Sequence, residues 1–159
     1  MTHLTATFIP TLLAFACGIF IVLSLVEKPV WRLMWNPQTQ DVPDETARLI
    51  HAALKRVVHL LPPIMMTTMA SILLLLLAQA WLADFSWQTI AVLVVFVGSM
   101  AGVVAALKKG IDGLDRAPSD GAITTVRAGL GAVARLHHQS LLAAAVTLIV
   151  HYALVAPGA

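Results

Sequence analysis

The chain carries six histidines in a body poor in ionisable groups, and their spacing decides what chemistry they could do. His51, Lys55 and His59 recur at four-residue steps, which places them on one side of a helix. His137 and His138 are adjacent and open an apolar run, whereas Glu27 and Lys28 close an earlier one and Lys108 and Lys109 another. All of these reach the same depth of a helical bundle. Neutral imidazole is a common transition-metal ligand, and a nearby carboxylate completes a metal site or an acid/base pair. His59, His137, His138 and Glu27 are therefore the candidate metal ligands. His59 with His138 is the candidate pair for holding a cofactor, either haem or a transition metal. His51 stands two turns further out, ~12 Å away, and makes a poor partner for that set. The competing reading is structural: helix ends at an interface collect polar residues, and lysine and arginine snorkel there.

His151 differs, because it lies inside an apolar run, where an ionisable group is costly and faces a bundle interior. It reads as an axial haem ligand, a proton relay or an imidazole bonded to a neighbouring helix. At its depth the other runs offer Gln79 and Gln88 rather than a second histidine, so a bis-histidine haem through it is not expected. Thr67, Thr68, Ser71, Gln79 and Ser99 read as interhelical hydrogen-bonding groups. No nucleophile elbow or phosphate-binding glycine loop occurs, and no residue is assigned a catalytic role. The single cysteine, Cys17, excludes an internal disulfide and a Cys-x-x-Cys metal site.

Elements that could position these groups follow from composition. Hydrophobic residues make up 59% of the chain and charged ones 11%. A soluble domain has about 45–50% and about 25%, so this chain lacks the polar surface to cover a water-soluble body. Four stretches, residues 8–26, 60–82, 85–107 and 139–156, are long enough to cross ~30 Å of hydrocarbon at ~1.5 Å per residue. Backbone groups in lipid must be satisfied within the segment, which demands helices. The fold expected is all-α: a polytopic, antiparallel four-transmembrane-helix bundle, extended on the cytoplasmic side, forming one integral membrane domain over residues 1–159. The first run has no basic flank of the signal-peptide kind and is expected to be retained. No basic stripe marks a soluble face, so nucleic acid is not an expected partner. The expected partners are the lipid bilayer and a membrane protein or a second copy of the chain.

Every lysine and arginine falls in one of two loops. Lys28, Arg32, Arg48, Lys55 and Arg56 lie between the first two spans, and Lys108, Lys109, Arg116, Arg127 and Arg135 between the last two. The positive-inside rule makes both loops cytoplasmic and both termini periplasmic, in a cell inner membrane. Trp31 and Trp35 at one interface, with Trp81, Trp87 and Tyr152 at the other, form aromatic belts. Asp41, Pro43 and Asp44 mark a helix start, and Ala47, Ile50, Leu54, Val57, Val58 and Leu61 follow at helical spacing. This pattern predicts one helix over residues 44–82, bent at Pro62 and Pro63. Ser119 or Asp120 is the predicted cap of the last helix. Gly98 with Gly102, and Ala14 with Gly18, predict close helix packing within the chain.

Three segments carry a resemblance. Gly18-Ile19-Phe20 leads to Val26-Glu27-Lys28-Pro29-Val30-Trp31-Arg32; then come Leu54-Lys55-Arg56-Val57-Val58-His59-Leu60-Leu61-Pro62-Pro63 and Arg135-Leu136-His137-His138-Gln139-Ser140. The layout resembles a loose group of small bacterial four-helix membrane proteins, comprising the copper-resistance CopD-like proteins, the HemJ-type protoporphyrinogen oxidases and the anthrone-oxygenase-like proteins. The resemblance implies a redox or haem/metal-associated membrane protein. The CopD-like and HemJ-like proteins share a histidine early in the first span and a Trp-x-Gly near its middle; residues 8–18 here hold neither, and no ligand is carried over. The alternative expectation is a non-enzymatic membrane subunit or scaffold whose histidines are structural.

Overall fold

The computed structural model describes residues 2–57 and 59–155. Helix α1 (Thr2–Glu27) runs into a 3-10 segment (Lys28–Met34), followed by α2 (Asp44–Val57), α3 (Leu61–Leu82), α4 (Trp87–Asp115) and α5 (Ile123–Leu154). Val58 and the predicted end of the last span at residue 156 lie outside the described residues. Four helical stretches are long and apolar enough to cross a membrane: Thr7–Met34, α3, α4 and α5.

Their outer faces are as apolar as their inner ones. Only 22% of the most apolar stretch of α3, and 17% of that of α4, is buried inside the chain. Phe15, Val22, Leu74, Val94, Leu142 and Ile149 are all more exposed than buried. Apolar surface left in water costs about 25 cal/mol per Å². A helix that is hydrophobic all round therefore belongs in a core or in hydrocarbon, and this chain is too small to be the core. It has the make-up of a multi-pass membrane protein.

The helices form a ring. α1 packs against α3 and α5, and α4 packs against the same two, which leaves α1/α4 and α3/α5 on the diagonals. The α4–α5 seam is the tightest. It closes where glycines let backbones touch: a β-carbon on Gly129 would sit 2.7 Å from the Gly113 carbonyl oxygen. Where the 3-10 segment crosses α5, a β-carbon on Gly131 would overlap the Leu33 carbonyl. The expected small-residue pairs do not serve this purpose. Gly18, Gly98 and Gly102 have nothing within 4 Å of a would-be β-carbon, and they lie on outward faces.

Two further expectations are corrected. Residues 44–82 are not one helix: α2 stops at Val57 and α3 begins at Leu61 with its prolines in the first turn. That first turn tolerates proline, because its N–H groups have no intrahelical acceptor. The prolines thus start a helix instead of bending one. α2 turns away to pack on α5, the 3-10 segment and α4. The cap of α5 is Ala122, with no side-chain hydrogen bond, because the Ser119 hydroxyl is bonded to His51.

Candidate functional site

The end of the ring that carries residues 28–43 and 116–122 holds most of the ionisable side chains. There the 3-10 segment lies across α5 at Gly131, with Val30 and Leu33 packed into a core with Leu130 and Val133. Arg135 donates to the Met34 carbonyl and ties down the segment's far end. This seat fixes the last residue of α1, Glu27, against α5.

Glu27 is completely buried, and its Oε1 accepts from His137 Nδ1 at 2.6 Å. Its Oε2 is buried with no hydrogen-bond partner among the described residues. The His137 ring stands 6.2 Å from that of Phe20, and its Nε2 makes no hydrogen bond among the described residues. A carboxylate on one imidazole nitrogen fixes the ring's orientation and leaves the other nitrogen to face outward.

His137 also lines a cavity of about 320 Å³ enclosed by the loop-end halves of the helices. Its other walls are apolar, with Phe20 from α1, Met65 and Met69 from α3, and Phe96 and Met100 from α4. Ser140 is the second polar lining residue, and its hydroxyl is already donated to the Leu136 carbonyl at 2.8 Å.

The other expected site residues lie elsewhere. His138 also reaches α1, but at Ser24 and not at Glu27. Its Nδ1 donates to the Ala134 carbonyl at 2.8 Å, and its Nε2 is 3.0 Å from the Ser24 hydroxyl. Trp31 stacks edge-on against it at 5.3 Å and donates to the Ser24 carbonyl. Both nitrogens of His138 are therefore committed. The His59 side chain is 71% exposed and stands 3.5 Å from Asp115 at the end of α4. The structure thus brings together Glu27 and His137 but neither of the other two. Among the described residues no three His, Cys, Asp or Glu side chains form a group able to hold a metal ion.

His51, set aside on spacing, is the best-anchored histidine at this end. It is completely buried, with Nε2 donating to the Leu114 carbonyl at 3.1 Å and Nδ1 facing the Ser119 hydroxyl at 3.0 Å. Burial pushes its imidazole below the ordinary histidine range, the Leu114 carbonyl opposes that shift, and the nearby Lys55 charge adds to it. Arg48 donates to the Ser119 carbonyl at 2.6 Å and Lys55 to the Asp115 carbonyl at 3.0 Å. Arg48, His51 and Lys55 thus form one face of α2, clasping the α4–α5 loop. The four-residue step from His51 to Lys55 was the available signal for this face. Arg127 makes the matching clasp on the other loop: with its side chain 7% exposed, it donates to the carbonyls of Thr39 and Val42 and to Asp44.

At the far end, His151 is buried with neither nitrogen hydrogen-bonded, and Gln79 Oε1 is likewise unpartnered among the described residues.

No protein-family model matches the chain, and no curated protein or solved structure matches it.

Proposed function

We propose that the chain is a multi-pass protein of a bacterial inner membrane, an antiparallel bundle with its loop end cytoplasmic and both termini periplasmic, and that its function centres on His137. The imidazole acts as a hydrogen-bonding and proton-exchanging group toward a small molecule held in the apolar cavity. The observation that carries this reading is the 2.6 Å contact between His137 and a fully buried Glu27 at the wall of that cavity. A buried carboxylate is expensive unless it is paired, and this one is spent on aiming a single histidine.

Cofactor association is narrowed by the same geometry. A closed metal site needs three or four donors. The free nitrogen of His137 supplies one, since His138 is committed to Ser24 and Ala134 and His59 sits beside Asp115. The residues would offer a haem or metal one nitrogen, that of His137, and not a set of ligands. A scaffold with structural histidines is the second reading, supported by the bonds of His51 and His138 to their neighbours.

Purified protein and His137→Ala, compared by optical spectrum, metal content and organic extract, test the proposal. A stoichiometric chromophore or lipid-soluble compound that disappears in His137→Ala is expected. A colourless, extract-free wild type that copurifies with another membrane protein would instead favour the scaffold.

A further inference from the structure

We infer that the cavity is a binding site for a lipid-soluble molecule with a flat ring head of the quinone/quinol class, reached sideways between α3 and α4. This rests on the reading of His137 as the functional group and names what that group holds. Four features of the cavity specify the ligand.

The first is access. Met66 of α3 and Val104 of α4 line the cavity, yet they are 47% and 52% exposed on the outer surface. The cavity therefore opens between these helices, through a face that is apolar. A ligand arriving from hydrocarbon reaches it without crossing the loop end.

The second is size. About 320 Å³ lies at the lower end of the roughly 300–1,000 Å³ typical of small-molecule sites. That suits one ring with the start of a tail, not a two-chain lipid.

The third is charge. Among the described residues no lysine or arginine lines the cavity, and the charge nearest His137 is the Glu27 carboxylate. Fatty-acid and phosphate heads would lose their hydration and meet a buried carboxylate in exchange. A neutral head carries no such penalty.

The fourth is chemistry. Of the chain's six methionines, Met65, Met66, Met69 and Met100 line the walls, alongside Phe20 and Phe96. Thioethers and aromatic edges pack favourably on a flat ring, and methionine adapts to its outline. At the polar end, neutral His137 presents a bare Nε2 that accepts from a hydroxyl. In its imidazolium form it presents an N–H that donates to a carbonyl. A quinone and its quinol offer the two matching partners on one ring.

The test uses the whole chain in nanodiscs, titrated with decylubiquinone, and with decanol and decanoate as straight-chain probes. Saturable binding of decylubiquinone at one per chain is expected, with decanol and decanoate failing to compete. His137→Ala should weaken it about ten-fold, the loss of one good hydrogen bond. Met66→Trp, which narrows the mouth without touching His137, should weaken it too, whereas His59→Ala should leave it unchanged. Competition by decanol or decanoate, or equal decylubiquinone affinity in wild type, His137→Ala and Met66→Trp, would overturn the inference. If decylubiquinone fails but an endogenous compound is still lost from His137→Ala, the ligand class falls while the role of His137 stands. If His137→Ala changes neither, both fall.

Discussion

The Leu33 carbonyl occupies the place a β-carbon on Gly131 would need. That close approach seats the 3-10 segment on α5 and holds Glu27 in position. Gly131→Ala must push backbone against backbone, because no side chain is there to rotate away. A loss of about 1–3 kcal/mol is expected, as for overpacking in a core. Gly98→Ala, with nothing within 4 Å, should stay within about 0.5 kcal/mol. Thermal unfolding of both variants in detergent measures the contrast, and equal melting shifts would contradict the backbone contact.

Glu27 and His137 should couple strongly. Removing His137 alone strands a buried carboxylate, and breaking a buried pair typically costs about 3–5 kcal/mol. Glu27→Leu with His137→Leu removes both polar groups together. The double variant is expected to be at least as stable as His137→Leu alone. A cycle of the two single variants and the double, followed by unfolding in detergent, reads the coupling. Additive losses would mean that the carboxylate does not depend on the imidazole.

Much of this architecture was legible in the sequence, and the misses have physical causes. The charge-free runs marked the four long helices, because hydrocarbon length and backbone satisfaction leave few options. Residues 60–82 correspond to Leu61–Leu82 almost residue for residue. α5 starts at Ile123, near the cap expected at Ser119 or Asp120, and α4 runs past its apolar span to Asp115, because a helix need not end where its apolar run does. The junction of α2 with α3 was misread because helical periodicity continues through it, while the direction of the chain is decided by tertiary contacts. His51 was read only as a poor ligand partner two turns from His59; its bonds to Leu114 and Ser119 follow from the fold, which lays α2 back over the loop and which spacing alone does not set. Glu27 and His137 were both singled out by type and depth. Which of two adjacent histidines would face the carboxylate depends on the rotation of α5, and sequence alone does not set that rotation.

The clasp of α2 should loosen in acid. Burial holds the His51 imidazole below its ordinary value of about 6.5. Between the folded and unfolded values the unfolded chain binds more protons, so stability rises with pH there. The contribution is complete above about pH 6.5 and is lost as pH falls through the folded value. Protease nicking at the α2–α3 junction is expected to increase with acidification. His51→Gln, which carries no titrating group, should flatten that dependence. A profile unchanged by the substitution would assign it to another group.

The proposed topology predicts that a reporter fused after residue 159 reads as periplasmic. All ten lysines and arginines fall between residues 28 and 56 or between residues 108 and 135, that is, in the two segments that join the first apolar run to the second and the third to the fourth. Arg48, Lys55, Arg127 and Arg135 also hold backbone carbonyls there, so the charges from which the topology is proposed are also the ones that build the loop end. A cytoplasmic reporter signal would reverse the bundle.

The histidines should separate by role. His51→Ala is expected to destabilise the fold more than His59→Ala. His51 is buried with two partners, and His51→Ala leaves the Leu114 carbonyl and Ser119 hydroxyl without theirs. The stranded Leu114 carbonyl, which is buried, costs about 1–3 kcal/mol, and the half-buried Ser119 hydroxyl less. His59, mostly in the open and 3.5 Å from a half-exposed Asp115, forms the kind of surface pair worth about 0–1 kcal/mol. His138→Ala breaks its links to Ser24 and Ala134 and should lower stability while leaving the cavity's contents in place. His137→Ala is expected to do both, lowering stability through Glu27 and emptying the cavity. His137→Gln separates the two effects, because its amide can still donate to Glu27 but cannot exchange a proton as imidazole does. It should recover much of the stability and little of the proton-linked behaviour. Melting temperature read beside the bound organic fraction for each variant distinguishes the roles. Equal loss of bound compound in His138→Ala and His137→Ala would show that the site depends on the helix end as a whole, not on the one imidazole aimed into it.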